Sequence, residues 1–242
     1  NNNNNNNNLK IQMNQLLVYV QNKDINQIKK VLDDIDLNDV LDSYYYQIYR
    51  YASYTFQYLT KNIDYHVYYH HLFEMIEYVF KQDTSEINSF EHIILHTLAN
   101  LELSNDDLSH KTIDLLISLF TDSKRIGINT ENANFHLPTF ALIGKYLIRK
   151  KDDVKATVVI DSAIRLSIHY EVSRTLDTLY YMRGLLDLKV DQVDSAIYHY
   201  QRCLYTILSK ENNNLFDHYK KIIKKDLTGY TYNESLIENI KY

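Results

Sequence analysis

Proline and glycine are nearly missing from this chain, with one Pro and four Gly in 242 residues. With so few breakers and no sustained apolar–polar alternation, strands and hairpin turns have little to build on, and an all-α protein is expected. Tryptophan is absent, and Cys203 is the single cysteine. A lone cysteine excludes an internal disulfide and fits a reducing compartment. Cys203 also falls on the apolar face of its helical pattern, where a thiol acts as a small hydrophobe. No run of about 18 apolar residues is present, so no membrane-spanning helix is expected. No signal peptide precedes the first apolar segment, and a soluble, cytoplasmic protein follows. An excess of basic charge is lacking too: the net charge is −5 and the pI near 6.1. These residues are therefore not expected to grip nucleic acid themselves, since phosphate binding relies on a basic face.

Catalytic chemistry finds as little to work with. There is no Gly-rich phosphate loop, no nucleophile elbow and no ligand set at metal spacing. His66 and His70 stand four residues apart, which puts both imidazoles on one helix face. No Glu follows His66 in the zincin manner, and no Cys or carboxylate completes an obvious site, so surface or packing roles are expected for them. The acidic pairs Asp33-Asp34, Asp106-Asp107 and Asp152-Asp153 fall in or near turns, where helix capping and solvation account for them. No catalytic residue, metal or cofactor is assigned.

What the chain has is helical periodicity and aromatic residues. Hydrophobic residues make up 45% of it, and 23 residues are Tyr. Asn1–Asn8 is a homopolymer without apolar content, expected to be a disordered tail or linker; residues 9–242 form the folded region. In order, the periodicity predicts helices over Leu9–Val20 and Asn26–Ile35 with Asp24 as N-cap. A tyrosine-rich helix over Leu37–Thr60 follows, entered through Asn38 or Asp42, and then Tyr65–Lys81. The next helix, capped by Asp83 or Ser85, buries Ile87, Phe90, Ile94, Leu95 and Leu98, and its partner runs over Leu108–Phe120. Asp122–Phe135 reads as irregular. Pro138 is placed at the start of a helix reaching Lys150, where its missing N–H is harmless. Val154–Ser167 pairs with that helix, Asp177–Leu208 forms a helical hairpin, and Leu215–Lys225 and a short segment from Asn233 complete the chain.

The Asp177–Leu208 hairpin repeats an earlier one. Phe140-x3-Gly144-x11-Ala156-x3-Ile160-x2-Ala163 matches Tyr180-x3-Gly184-x11-Ala196-x3-Tyr200-x2-Cys203 position by position. Leu95, Ala99, Leu115 and Ser118 keep the same offsets further upstream, with Lys111 in place of the central Ala. The pattern resembles the tetratricopeptide repeat: an aromatic and Gly on the first helix, then Ala, a large residue and another small residue on the second. The copies are forty and forty-five residues apart, longer than the repeat's usual period of about thirty-four. Hairpins of this kind bury their apolar faces only by stacking, and the resemblance implies a right-handed superhelical array with a concave groove. In such arrays the first helix of each pair lines the groove. The offsets three before, one after and four after each Gly or its equivalent then give His96, Asn100 and Leu103; Ala141, Lys145 and Ile148; and Tyr181, Leu185 and Leu188, with Arg149 one residue beyond. An apolar lining with an amide and two cations suits an extended peptide. Asn100 can bond its backbone through both N–H and C=O, and Lys145 or Arg149 can meet a carboxylate.

Three segments carry a second resemblance that covers nearly the whole chain: LLVYVQNKDINQIKKVL, SFEHIILHTLANLEL and LYYMRGLLDLKVDQVDSAIYHY. They resemble the C-terminal sensor domain of Rgg/MutR-type transcriptional regulators of low-GC Gram-positive bacteria. The resemblance implies a homodimer and control by a short signalling peptide, as in quorum sensing. It further implies a helix-turn-helix domain at the N-terminus through which DNA is met; nothing in these residues resembles that domain. Thr97–Asn100 corresponds to the family's Asn/Arg-containing segment but has no Arg, and Gly144 stands where relatives often have a polar residue. The alternative open at this point is a stand-alone helical-repeat scaffold for protein–protein interaction.

Overall fold

The computed structural model describes residues 2–41, 44–81, 87–121, 128–130 and 133–242. The described residues are helical, with no strand among them, and they fall into two compact units, Asn1–Ser109 and His110–Tyr242. Among them no helix is long and apolar enough to cross a membrane.

The first unit holds α1 (Asn2–Gln21), α2 (Ile25–Asp34), α3 (Leu37–Val40), α4 (Tyr45–Leu59), α5 (Tyr65–Lys81) and α6 (Ser89–Ser104). Its core is made by Met13 and Leu16 of α1, Ile28 of α2, Ala52 of α4, Leu72 and Ile76 of α5, and Ile94, Leu95 and Leu98 of α6, all fully buried. Asp24 caps α2, its carboxylate accepting from the Gln27 N–H. The expected continuous helix over Leu37–Thr60 is instead α3 and α4. Asp36 rather than Asn38 caps α3, and Asp42 lies outside the described residues. The caps proposed at Asp83 and Ser85 also lie outside them. The described cap of α6 is Asn88, which accepts from the Glu91 N–H while the Glu91 carboxylate accepts from the Asn88 N–H. This reciprocal arrangement satisfies two N–H groups that the first turn of a helix leaves open. The backbone of Asn2–Asn8, for which no structure was expected, continues α1 outward, and Asn7 and Asn8 are exposed.

The second unit holds α7 (Lys111–Thr121), α8 (Ala133–Arg149), α9 (Asp153–His169), α10 (Leu176–Lys189), α11 (Val193–Leu208), α12 (Asn213–Asp226) and α13 (Ser235–Glu238). Helix α8 starts five residues before Pro138, which therefore lies inside it rather than at its entry; residues 122–127 and 131–132 of the expected irregular segment lie outside the description. Helices α8 and α9 pair as one hairpin, α10 and α11 as the next, and α10 also packs on α9. The matched positions do the same work in both hairpins. Ala156, Ile160 and Ala163 in one, and Ala196, Tyr200 and Cys203 in the other, are fully buried. The upstream copy is not built this way: the unit boundary falls between α6 and α7, Leu115 is half-buried and Ser118 is exposed.

After α12 the positive φ falls on Gly229, but six other helix ends turn on residues that carry a side chain. Lys23, Lys61, Lys151, Glu171, Asp191 and Glu211 each adopt positive φ just past a helix end. After α8 the Asp152 N–H reaches the Leu147 carbonyl and the Lys151 N–H reaches that of Ile148; after α10 the pairs are Gln192 to Asp187 and Asp191 to Leu188. This is the Schellman closure of a helix end, usually made with Gly.

Candidate functional site: the outer faces of α8 and α10

Helices α8 and α10 are the first helices of the two matched hairpins, and glycine sets how closely they are approached. A Cβ on Gly144 would come 2.9 Å from Ile160 Cγ1 and 3.2 Å from Met182 Cε. The missing side chain lets α9 and α10 close on α8, which fixes the relative placement of the α8 and α10 faces. Of the residues expected to line a groove, Lys145 and Arg149 are exposed on α8, while Ile148 is half-buried. On α10, Tyr181 and Leu185 are half-buried, whereas Leu188 is 6% exposed and belongs to the core shared with α11 and α12. Leu188 sits beneath the row because Tyr230 reaches over the last turn of α10 and donates its hydroxyl to the Leu188 carbonyl at 3.3 Å. Ala141, in the same row as Tyr181, is buried. The remaining expected residues are on α6, in the first unit, where Asn100 is exposed and His96 and Leu103 are half-buried.

Beside this face runs a polar network that the repeat pattern does not announce. Asp187 lies in the last turn of α10 with 1% of its surface exposed. Arg183, one turn earlier, donates to its Oδ1; the Ser195 hydroxyl donates to its Oδ2 at 2.7 Å, and His199 Nδ1 lies 2.7 Å from the same atom. Arg183 Nε also donates to Asp161 of α9 at 2.8 Å. A buried carboxylate is tolerated only when its oxygens are occupied in this way. Three helices are thereby held in one register. The signal available in sequence was the Arg183/Asp187 spacing of four on an otherwise apolar helix, but the partners on α9 and α11 are not visible that way.

Tyr181 is engaged as well. Its hydroxyl donates to Asp226 Oδ2 at 2.9 Å, and its ring meets Tyr219 edge-on at 5.2 Å and Tyr200 at 5.8 Å. Burial raises the Asp226 carboxyl above its usual range, and the Tyr181 hydrogen bond opposes that rise. The Tyr181 phenol is pushed up in turn, first by burial and then by its bond to Asp226. Cys203 lies fully buried with its thiol pushed up by burial, so it is a packing group and not a nucleophile.

The histidines do not gather. His66 pairs with Asp107 at 2.9 Å and His70 with Glu74 at 3.2 Å. Among the described residues no group of three or more His, Cys, Asp or Glu is placed to hold a metal ion. The α8–α10 face thus offers exposed cations, apolar side chains and a phenol, the means for recognising a ligand by shape and charge.

No protein-family model and no curated protein matches this chain. Two solved structures of PlcR from Bacillus thuringiensis share its fold. The apo form superposes with a TM-score of 0.65 at 18% identity, covering 91% of this chain and 78% of PlcR. PlcR in complex with the peptide PapR7 and DNA gives a TM-score of 0.62 at 19% identity, covering 89% of this chain and 73% of PlcR. At such identity the likeness establishes the fold: an all-α helical-repeat architecture of the tetratricopeptide-like kind.

Proposed function

We propose that this chain is the peptide-sensing regulatory region of a cytoplasmic helix-turn-helix transcriptional regulator, homodimeric and of the Rgg/MutR kind. One observation carries the reading: the chain shares the fold of PlcR, a protein solved together with a peptide and DNA, over most of both lengths. The α8–α10 face supports it, since short peptides are recognised where apolar side chains lie beside a few placed cations. In this reading a signalling peptide lays apolar side chains against Ile148, Tyr181 and Leu185, with Leu188 beneath them, and Lys145 or Arg149 takes a carboxylate. On the first unit, His96, Asn100 and Leu103 have the corresponding role for a peptide backbone. DNA is met through a separate helix-turn-helix domain, and the role of this chain is regulatory, not catalytic.

The test is titration calorimetry of the chain against a panel of short apolar peptides with free C-termini, with thermal melts alongside. A true ligand raises the melting temperature with concentration, by an amount equivalent to about 2.7 kcal/mol at a hundredfold excess over Kd. Leu185→Asp and Lys145→Glu should each weaken binding at least tenfold. Absence of heat and of thermal shift across the panel would sink the proposal.

A second reading, a helical-repeat scaffold for protein partners, rests on a different surface. Val154 and Val158 on α9, and Tyr198 and Tyr205 on α11, are at least half exposed at helical spacing. Exposed apolar side chains repeated on one helix supply the kind of surface that a partner protein can cover. Val158→Lys with Tyr205→Lys should abolish capture of a protein partner while leaving peptide binding intact.

A further inference from the structure

The two junctions that α10 makes with its neighbouring first-of-pair helices are built differently. Toward α8 the backbones close up through Gly144. Toward α12 there is no such close approach: α12 packs on α11 and reaches α10 through long side chains. Around the apolar core that α10, α11 and α12 share, three of those side chains are phenols, each with a polar partner. Tyr181 donates to Asp226 at 2.9 Å, the hydroxyls of Tyr219 and Thr178 lie 3.2 Å apart, and Tyr230, just past α12, donates to the Leu188 carbonyl. Interdigitated apolar packing is hard to shift by small amounts, whereas the hydroxyl bonds that this junction adds to its apolar core are lost when one partner is taken.

Helix α12 carries a further load. Lys220 donates to the carbonyls of Glu238 and Ile240 at 3.1 and 2.8 Å, Lys224 pairs with Glu238, and Phe216 meets Tyr242 edge-on at 4.7 Å. Residues 230–242 are thus tied to α12, and they are also held on α11, where α13 packs and the Leu236 carbonyl accepts from Gln201 at 3.0 Å. Asp226 is the group most sensitive to a shift of α12. It is half-buried beside Tyr200, whose side chain is fully buried, and the Tyr181 hydroxyl is the first of the groups that offset its burial, followed by Tyr200 and Lys225. Removing the donor leaves a desolvated carboxylate with less compensation, which costs more than the bond itself contributes.

We propose that the Tyr181–Asp226 hydrogen bond is a latch through which α12 reads the occupancy of the α8–α10 face. A ligand that takes the Tyr181 hydroxyl, or turns its ring, frees Asp226, and α12 loosens from α10. The proposal rests on the peptide-binding reading for its trigger. The latch itself is a property of the unliganded chain and is tested without a ligand.

Cys203 supplies the probe. It is the single cysteine, fully buried in the core that α10, α11 and α12 share, so its rate of labelling by a thiol reagent reports loosening of that core. Tyr181→Phe, which keeps the ring, should raise the labelling rate about tenfold, in line with a lost hydrogen bond to a charged group. Asp226→Ala should do likewise, and the double variant should label no faster than the quicker single one, because both remove the same bond. Lys221→Gln, exposed on α12 but outside the latch, should label at the wild-type rate. A saturating peptide, with binding verified by calorimetry, should speed labelling of wild type although it raises the melting temperature; plain stabilisation by a ligand would slow it. It should add nothing in Tyr181→Phe. Wild-type labelling by both single variants, additive effects in the double variant, or slower labelling with bound peptide would each overturn the latch. A chain that binds no peptide but shows the variant effects retains the latch and loses the peptide reading.

Discussion

Gly184 lies directly under the ring of Tyr200: a Cβ added at position 184 would come 2.6 Å from Cε1 and 2.7 Å from Cδ1. Real side chains do not approach that closely, and Tyr200 is fully buried, in an interior that packs densely. The α10–α11 hairpin is therefore specified by this pair, a residue without a side chain against one of the largest. Gly184→Ala should destabilise the chain by roughly 1–3 kcal/mol, the usual range for overpacking, despite the better helix propensity of Ala. Gly144→Ala meets Ile160 at 2.9 Å and the flexible end of Met182 at 3.2 Å. Met repacks readily, so this change should cost less than Gly184→Ala. Paired urea melts of the two variants decide it, and equal losses would contradict the assignment.

Asp187 should be among the most sensitive positions outside the apolar core. Asp187→Ala strips the partners from Arg183, Ser195 and His199 at once, and breaking a buried charge pair on one side typically costs about 3–5 kcal/mol. Asp187→Asn should be milder, because the amide oxygen still accepts and Arg183 keeps its bond to Asp161. Ser195→Ala should fall lowest, near 1 kcal/mol. The ordering is read from denaturant midpoints at unchanged m.

The turns offer gains rather than losses. Lys151 and Asp191 are exposed and hold φ of 61° and 55°, a conformation that costs a residue with a Cβ about 1 kcal/mol or more. Lys151→Gly and Asp191→Gly should each stabilise by roughly 0.5–1 kcal/mol, part of the relief being offset by the freedom Gly adds to the unfolded chain. Lys150→Gly is the control. Lys150 is not among the positive-φ residues, and its ammonium sits over the Tyr146 ring at 5.7 Å, so that change should destabilise. Thermal melts of the three variants suffice.

These turns also explain what could be read from sequence and what could not. The two hairpins of the second unit were legible because one packing solution is repeated, and packing at Ala156, Ala196, Gly144 and Gly184 permits few residue types. The break between α3 and α4 was not legible: no Gly or Pro marks it, and most of the positive-φ turns described are made by Lys, Glu and Asp, which look like helix surface. The upstream copy matched in offsets, and Leu95 and Ala99 are buried, but Lys111, Leu115 and Ser118 on its second helix are not, since Leu- and Ser-containing helices meet such a pattern easily. For the site, offsets placed Lys145 and Leu185 on an accessible face. They could not show that Tyr230 covers the end of α10 above Leu188, nor that Asp226 holds Tyr181, because those partners come from elements outside the repeat.

Acid should weaken this protein through His136. The side chain on α8 is 1% exposed, and burial lowers its pKa from 6.5 to about 4. Between those values the unfolded chain binds a proton at this residue and the folded chain does not, so stability rises with pH across the window. Above about pH 6.5 neither state is protonated and the residue exerts no pull; as pH falls toward 4 the unfolded state gains progressively. The difference amounts to about 3 kcal/mol by pH 4. Urea melts of wild type at steps from pH 7 to pH 4 should show this loss, superimposed on that of the carboxylates. His136→Gln, which cannot titrate, should flatten the profile by about that amount within the same window while lowering stability at pH 7. A variant profile parallel to wild type between pH 6.5 and 4 would show that His136 titrates normally in the folded chain, and that its burial carries no proton linkage.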